Sequence, residues 1–329
     1  MQTLIRISAI AATIVVAGMA LVGTASAQNI YTGGKAGAYF GTLCPGLLEG
    51  LRAEGFTPTC VESAGSLDNI QRLLADPTGV AMVQTDVFAN WSAANPDQAK
   101  KIVAIRSDLA SEGVYFVSKN VQDFPDVVRL ITRIKVVLPP KTSGAAQTWE
   151  NLKQVLPRVF AKVDPSQVTY AESAAKAVDT ALANDNTIAL FVQLPDPDNA
   201  IFKTIVQKKG NFIPLAARAI LDQKIGDQPV YTLETRPVTR AGVISNAVEV
   251  TTIATPIMLI TQATENVPES GNARANHDDL IKIVKGMPKE KLLPKSGATV
   301  SLFNRAFSAS RDVASRLTEK AEQAIESIR

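Results

Sequence analysis

Apolar residues along the chain come in short runs, each ending in a polar or glycine-rich turn that leads into a stretch of helical spacing. Ile30, Tyr31 and Thr32 predict a first strand, and Gly33, Gly34 and Gly37 a turn that lets backbone come close to a ligand. Residues 38–52 predict a helix, with Phe40, Leu43, Leu47, Leu48 and Leu51 on one face. Residues 57–61 predict a second strand that runs into Ser63-Ala64-Gly65-Ser66. Ser66 is placed to cap a helix carrying Leu67, Ile70, Leu73 and Leu74. The continuous run Val80-Ala81-Met82-Val83 predicts a strand buried on both faces. It ends in Gln84, Thr85 and Asp86, with Asp86 capping a helix over 87–94.

The design repeats further on. Strands are predicted over 102–105 and 113–117, the second leaving the first unit as a hinge. Residues 135–138 form a strand followed by Lys141-Thr142-Ser143-Gly144 and a helix over 145–156. Strands over 168–170, 188–192 and 212–215 alternate with helices, which is the pattern of a second α/β unit. The β-branched stretch 248–261 reads as the return across the hinge. Residues 301–328 have the spacing of a long amphipathic helix packing back on the body of the protein. The expected organisation is lobe I over 28–123 and 248–329, and lobe II over 124–247. In such sheets, strand ends and helix starts collect the ligand, and helix N-termini favour an anion.

Residues 1–27 stand apart. Arg6 is followed by an uncharged apolar stretch from Ile7 to Gly23 and by Ala25-Ser26-Ala27, the form of a secretory signal peptide. A membrane anchor is the competing reading, but the apolar run is short of a span. Export bears on the two cysteines, Cys44 and Cys60. In an oxidising compartment they are expected to pair, two buried free thiols being the alternative.

Composition narrows the function. The chain has 329 residues, with 34 Lys+Arg against 31 Asp+Glu, and its basic residues are scattered, so no nucleic-acid partner is expected. Aromatics at 5% argue against a large aromatic binding face. The single histidine, His277, sits beside Asp278 and Asp279 and reads as a surface residue. With no second histidine and no G-x-S-x-G elbow, a serine triad is disfavoured. Two cysteines and one distant histidine do not make a four-ligand metal site. Neither a cofactor nor an enzymatic activity is expected.

The segments YTGG…GAYF, ESAGSLDNIQRLL and VAMVQTDV, in that order, resemble the TAXI group of TRAP-transporter solute receptors. KTSGAAQTWENL is similar to the turn and helix of that group's second lobe, and EVTTIATPIMLIT to its returning hinge strand. The resemblance implies an α/β, two-lobed periplasmic-binding-protein type II fold with a ligand cleft between the lobes. It implies that Thr32, Gly33, Tyr39, Ser66, Asn69, Gln84 and Asp86 line the cleft from one lobe, and Ser143 and Gly144 from the other. Gly34 joins them as part of the first glycine turn. For Gln84 and Asp86, helix capping remains the alternative.

The implied function is a monomeric periplasmic receptor that captures a small organic anion, carboxylate or amino-acid-like, for the membrane permease subunits of a TRAP-type transporter. A sensor presenting its solute to a membrane kinase and an enzyme on the same scaffold stay open beside it.

Overall fold

The computed structural model describes residues 28–35, 37–240, 247–269, 271–293 and 307–328. The expected signal peptide, residues 1–27, lies outside them, as does the start of the helix expected over 301–328.

The described chain opens with β1 (Asn29–Tyr31) and a π-helical segment, Tyr39–Leu43, that continues into α1 (Cys44–Ala53). There follow β2 (Thr59–Val61), α2 (Ser66–Ala75), β3 (Val80–Gln84), α3 (Thr85–Ala94), α4 (Pro96–Ala99) and β4 (Ile102–Arg106). Next, β5 (Ser111–Ser118) leads to α5 (Phe124–Leu130), β6 (Lys135–Leu138), α6 (Gly144–Val155) and α7 (Pro157–Phe160). The chain continues through β7 (Val168–Tyr170), α8 (Ala174–Ala183), β8 (Thr187–Gln193), α9 (Ala200–Gln207), β9 (Asn211–Ile213) and α10 (Arg218–Leu221). A small hairpin, β10 (Lys224–Ile225) with β11 (Gln228–Pro229), precedes β12 (Thr232–Pro237). The long β13 (Glu249–Gln262), α11 (Ala273–Gly286), α12 (Lys289–Leu292), β14 (Phe307–Ser308) and α13 (Arg311–Glu326) complete it.

The strand β13 belongs to both lobes. Its first half pairs antiparallel with β12, and Ala254–Pro256 pair with Gly113–Ser111 of β5. From Ile257 onward it pairs with β3 and then β4. The switch falls at Pro256, which has no N–H to give to a ladder. On one side lie the parallel neighbours β2, β1 and β3; on the other, β5, β8, β6 and β7. All five residues of β3 are buried because β1 and β13 flank it and helices cover it.

Each side has its own core. In lobe I, Leu43, Leu47 and Leu51 of the first helix face Val80, Met82, Leu259, Leu280 and Val284. In lobe II, Trp149 and Leu152 of α6 pack with Phe116, Phe160 and Leu190. Each such side chain contributes roughly 1.5–3 kcal/mol on full burial. Cys44 and Cys60 form a disulfide that ties the first residue of α1 to β2.

Several expectations need correction. The strand β5 already pairs within the lobe II sheet, so lobe I ends before Ser111 and not at residue 123. The helix α13 was expected with lobe I, but Ala321 and Ile325 are buried in the lobe II core, and the helix lies against α5. After Pro288, α12 buries Leu292 against lobe I. His277 is fully buried, its Nε2 2.9 Å from the Gln262 carbonyl oxygen. It shares one helical face with Leu280, Ile281 and Val284, a spacing that outweighs its acidic neighbours in sequence.

Candidate functional site

Strand ends and helix starts from both lobes meet around a cavity of about 210 Å³. Lobe I contributes Thr32 and Gly33 after β1, Tyr39 on the π-helical segment, Gly65 and Ser66 at the start of α2, and Gln84 at the end of β3. Lobe II contributes Pro139 after β6, Ser143, Gly144 and Ala145 at the start of α6, Ala174 at the start of α8, and Val192 on β8. Glu112 enters from β5, where the chain crosses between lobes. The volume equals that of about seven water molecules at ~30 Å³ each. A larger groove, about 750 Å³, lies on the outside of lobe II between α5 and α13, away from these strand ends.

The local geometry follows from residue type. Gly65 has φ +118°, a conformation that L side chains rarely adopt, and it precedes α2 with no side-chain cap on that helix. The first-turn N–H groups of α2 therefore point out of the helix end unsatisfied by a cap. At α6 the Ser143 hydroxyl accepts from Ala146 N–H at 3.2 Å, leaving the N–H groups of Gly144 and Ala145 at the helix mouth. Ser173 does the same for α8 through Lys176 N–H. The helix starts give the cavity a partial positive character.

Seven of the ten residues expected to line the cleft do so: Thr32, Gly33, Tyr39, Ser66, Gln84, Ser143 and Gly144. Several already have structural partners. The Thr32 hydroxyl donates to Val61 O at 3.0 Å. Ser66 is not an N-cap, that position being Gly65; its hydroxyl oxygen accepts from Gln84 N–H at 3.1 Å and so ties α2 to the end of β3.

Three expected residues lie elsewhere. Gly34 is exposed, and its carbonyl accepts from Gly37 N–H. Asn69 is fully buried beneath the cavity floor, donating to the carbonyls of Thr32 and Met82. Asp86 is also fully buried and points away. Its Oδ2 accepts from Thr148 at 2.6 Å and from Tyr231 at 2.9 Å, and its Oδ1 from Val87 N–H at 2.8 Å. It is the second residue of α3 and not its cap. Burial pushes its carboxyl above the ordinary range, against the pull of those donors.

The residue missed from sequence is Glu112. It is 9% exposed, and its Oε2 accepts from the Tyr39 hydroxyl at 2.7 Å. Burial is the main force raising its carboxyl to about 7; the Tyr39 bond acts in the opposite direction. Tyr39 in turn is pushed well up, by burial first and the adjacent carboxylate second. No motif marks Glu112. Only the pairing of β5 with Thr255 of β13 turns it into the crossing. Among the described residues, no cluster of His, Cys, Asp and Glu is suited to hold a metal ion, and no helix is long and apolar enough to cross a membrane.

Two α/β lobes, a shared crossing strand and a small cavity at the strand ends make up the two-lobed periplasmic-binding-protein type II fold. A family model described as the NMT1-like family matches residues 30–270, and the chain belongs to that family. A search of curated proteins finds no match. Among solved structures, MatC from Rhodopseudomonas palustris with bound malate is 12% identical, aligning over 92% of this chain and 99% of its own, with a TM-score of 0.48. A structure described as a periplasmic transporter is 12% identical over 93% of this chain and 97% of its own, TM-score 0.47. A phosphate transport receptor from Vibrio cholerae is 13% identical over 81% and 96%, TM-score 0.47.

Proposed function

We infer that this protein is a periplasmic solute receptor that closes its lobes on a small organic anion and hands it to a membrane permease. The TRAP-type permease is the partner implied by the TAXI resemblance. The protein acts by binding, as a monomer, and not by turnover. The observation that carries the reading is the convergence of the α2, α6 and α8 N-termini, from both lobes, on one small cavity. Backbone N–H groups and the helix dipole together make such a place favourable to a carboxylate or similar anion. The Cys44–Cys60 disulfide suits an oxidising compartment.

Native mass spectrometry of the protein purified from periplasm without refolding tests the reading. The expected result is one small acid per chain, with more compact solution scattering when it is bound than after its removal. A co-purifying solute with no acidic group, or scattering unchanged by saturating solute, would overturn it.

A further inference from the structure

The helix starts that favour an anion share their cavity with one acidic side chain, Glu112, and no Lys, Arg or His is among the lining residues. Glu112 is nearly buried, and its Oε2 accepts from the Tyr39 hydroxyl. Among the described residues no hydrogen bond reaches its Oε1. The groups around it do little to hold a negative charge. Asp86, on α3, is buried and of like sign. Arg236, on β12, is the cation whose field reaches it, but that guanidinium is engaged by Glu234 at 2.6 Å and by the Ser111 carbonyl at 2.9 Å. Tyr115, on the same strand as Glu112, is pushed up to about 12 by its burial and so does not titrate near neutrality. Opposite Glu112 in the ladder, β13 presents Thr255, which does not titrate. An anion seated on the helix starts therefore meets a like charge whenever Glu112 is ionised, with no basic lining side chain to offset it. Like charge disfavours the ionised form.

We propose that Glu112 enters the complex as a neutral acid whose Oε1 hydroxyl donates to the bound anion, so that capture of the solute takes up one proton from solvent. This rests on the anion reading above and adds a specificity-determining residue to it. The two oxygens of Glu112 then have separate tasks. Oε2 remains the acceptor for Tyr39, and Oε1 carries the proton and becomes a donor toward the cavity. The acid thereby joins the N–H groups at the starts of α2 and α6 in facing the solute with donors. Burial already holds its carboxyl at about 7 in the solute-free protein. An arriving anion raises it further, and proton uptake follows wherever the free protein has released that proton.

Calorimetric titration of the solute-free protein with pyruvate, succinate, malate and adipate tests it, over a range from about pH 6.5 to about pH 9 in which these acids are themselves ionised. Each titration is repeated in buffers of different ionisation enthalpy, which counts the protons taken up. For whichever acid binds, uptake should be small below about pH 7 and approach one proton per solute above about pH 8, where affinity falls about tenfold per pH unit. Glu112→Gln is neutral at every pH and still a donor, so it should bind without proton uptake. The ratio of its affinity to the parent's should rise about tenfold per pH unit above about pH 7. Should that variant not fold, Tyr39→Phe serves instead: it removes a bond that favours the ionised carboxylate and should move the onset of proton uptake to higher pH. Binding by the parent with no proton uptake and an affinity independent of pH overturns the inference and leaves the anion reading standing. Uptake retained in Glu112→Gln, or an onset unmoved in Tyr39→Phe, assigns the proton to another group and overturns it as well. If none of the four acids binds at any pH, both fall.

Discussion

Gln84 and Gly144 meet across the cleft so closely that residue 144 has no room for a side chain. A Cβ added there would lie 1.6 Å from Gln84 Oε1. Gln84 ends β3 in lobe I, and Gly144 begins α6 in lobe II. The contact therefore exists only while the lobes are together, and it makes the pair a reporter of closure.

The backbone of Gly144 is not in the left-handed region, so Gly144→Ala strains nothing locally. It acts only by displacing the Gln84 amide, which is itself buried. The expected effect is about tenfold weaker binding of the co-purified solute with an unchanged melting temperature. In the double variant with Gln84→Ala the obstacle is gone, so the second substitution should add nothing to Gln84→Ala alone. Calorimetry on the four proteins of that cycle measures the coupling. Additive losses would mean that the two residues do not meet in the bound state.

Asp86 joins the lobes in a different way. Its carboxylate sits on α3 and takes its hydrogen bonds from Thr148 on α6 and from Tyr231 just before β12. Hydrogen bonds to a charged group contribute roughly 1.5–3 kcal/mol each. Thr148→Val and Tyr231→Phe should each lower stability by about that amount in urea titrations, with solute stoichiometry retained. Losses within about 0.5 kcal/mol for both, the range of an ordinary surface substitution, would show that Asp86 does not depend on these donors.

The order of elements was legible because apolar runs and glycine turns alternate without interruption from Ile30 to Ile213. Lobe membership was less so. Nothing local says that α13 crosses to lobe II; that choice is made by the apolar surface of α5 and the lobe II core, far away in sequence. The cleft turns were legible because strand-end glycines and hydroxyls have few other uses. Asp86 and Asn69 carry the same polar signature as Gln84, yet their side chains point down into the protein. Glu112 gave no signal at all, since its burial is created by strand pairing with a segment more than a hundred residues later. His277 shows the opposite case, where the apolar spacing of its own helix was the better guide.

The Cys44–Cys60 bridge closes a short loop across the first βαβ unit, a separation of 16 residues. A loop of that size corresponds to about 3 kcal/mol of stabilisation in the chain-entropy account. Cys44→Ser with Cys60→Ser should lower thermal stability by several degrees and lobe I should open first in hydrogen exchange. A double variant as stable as the parent would mean that the packing of α1 on β3 suffices without the bridge.

The state of Glu112 should be visible in stability against pH when no solute is bound. Its carboxyl is raised from an ordinary 4.5 to about 7, chiefly by burial. The folded protein therefore holds this proton where the unfolded chain releases it. Stability from this group is fully present below pH 4.5 and is lost as pH rises to about 7, beyond which it changes no further. The rise corresponds to roughly 3 kcal/mol. Other carboxyls blur the total. Asp86 is also raised, whereas Asp76 and Asp108 are lowered and act with the opposite sign. Comparison with Glu112→Gln removes them, because they are common to both proteins. Urea midpoints across this range should show the parent losing stability relative to the variant as pH rises from 4.5 to 7, with parallel behaviour above. Curves parallel throughout would mean that Glu112 is already ionised at low pH, held by a partner other than Tyr39.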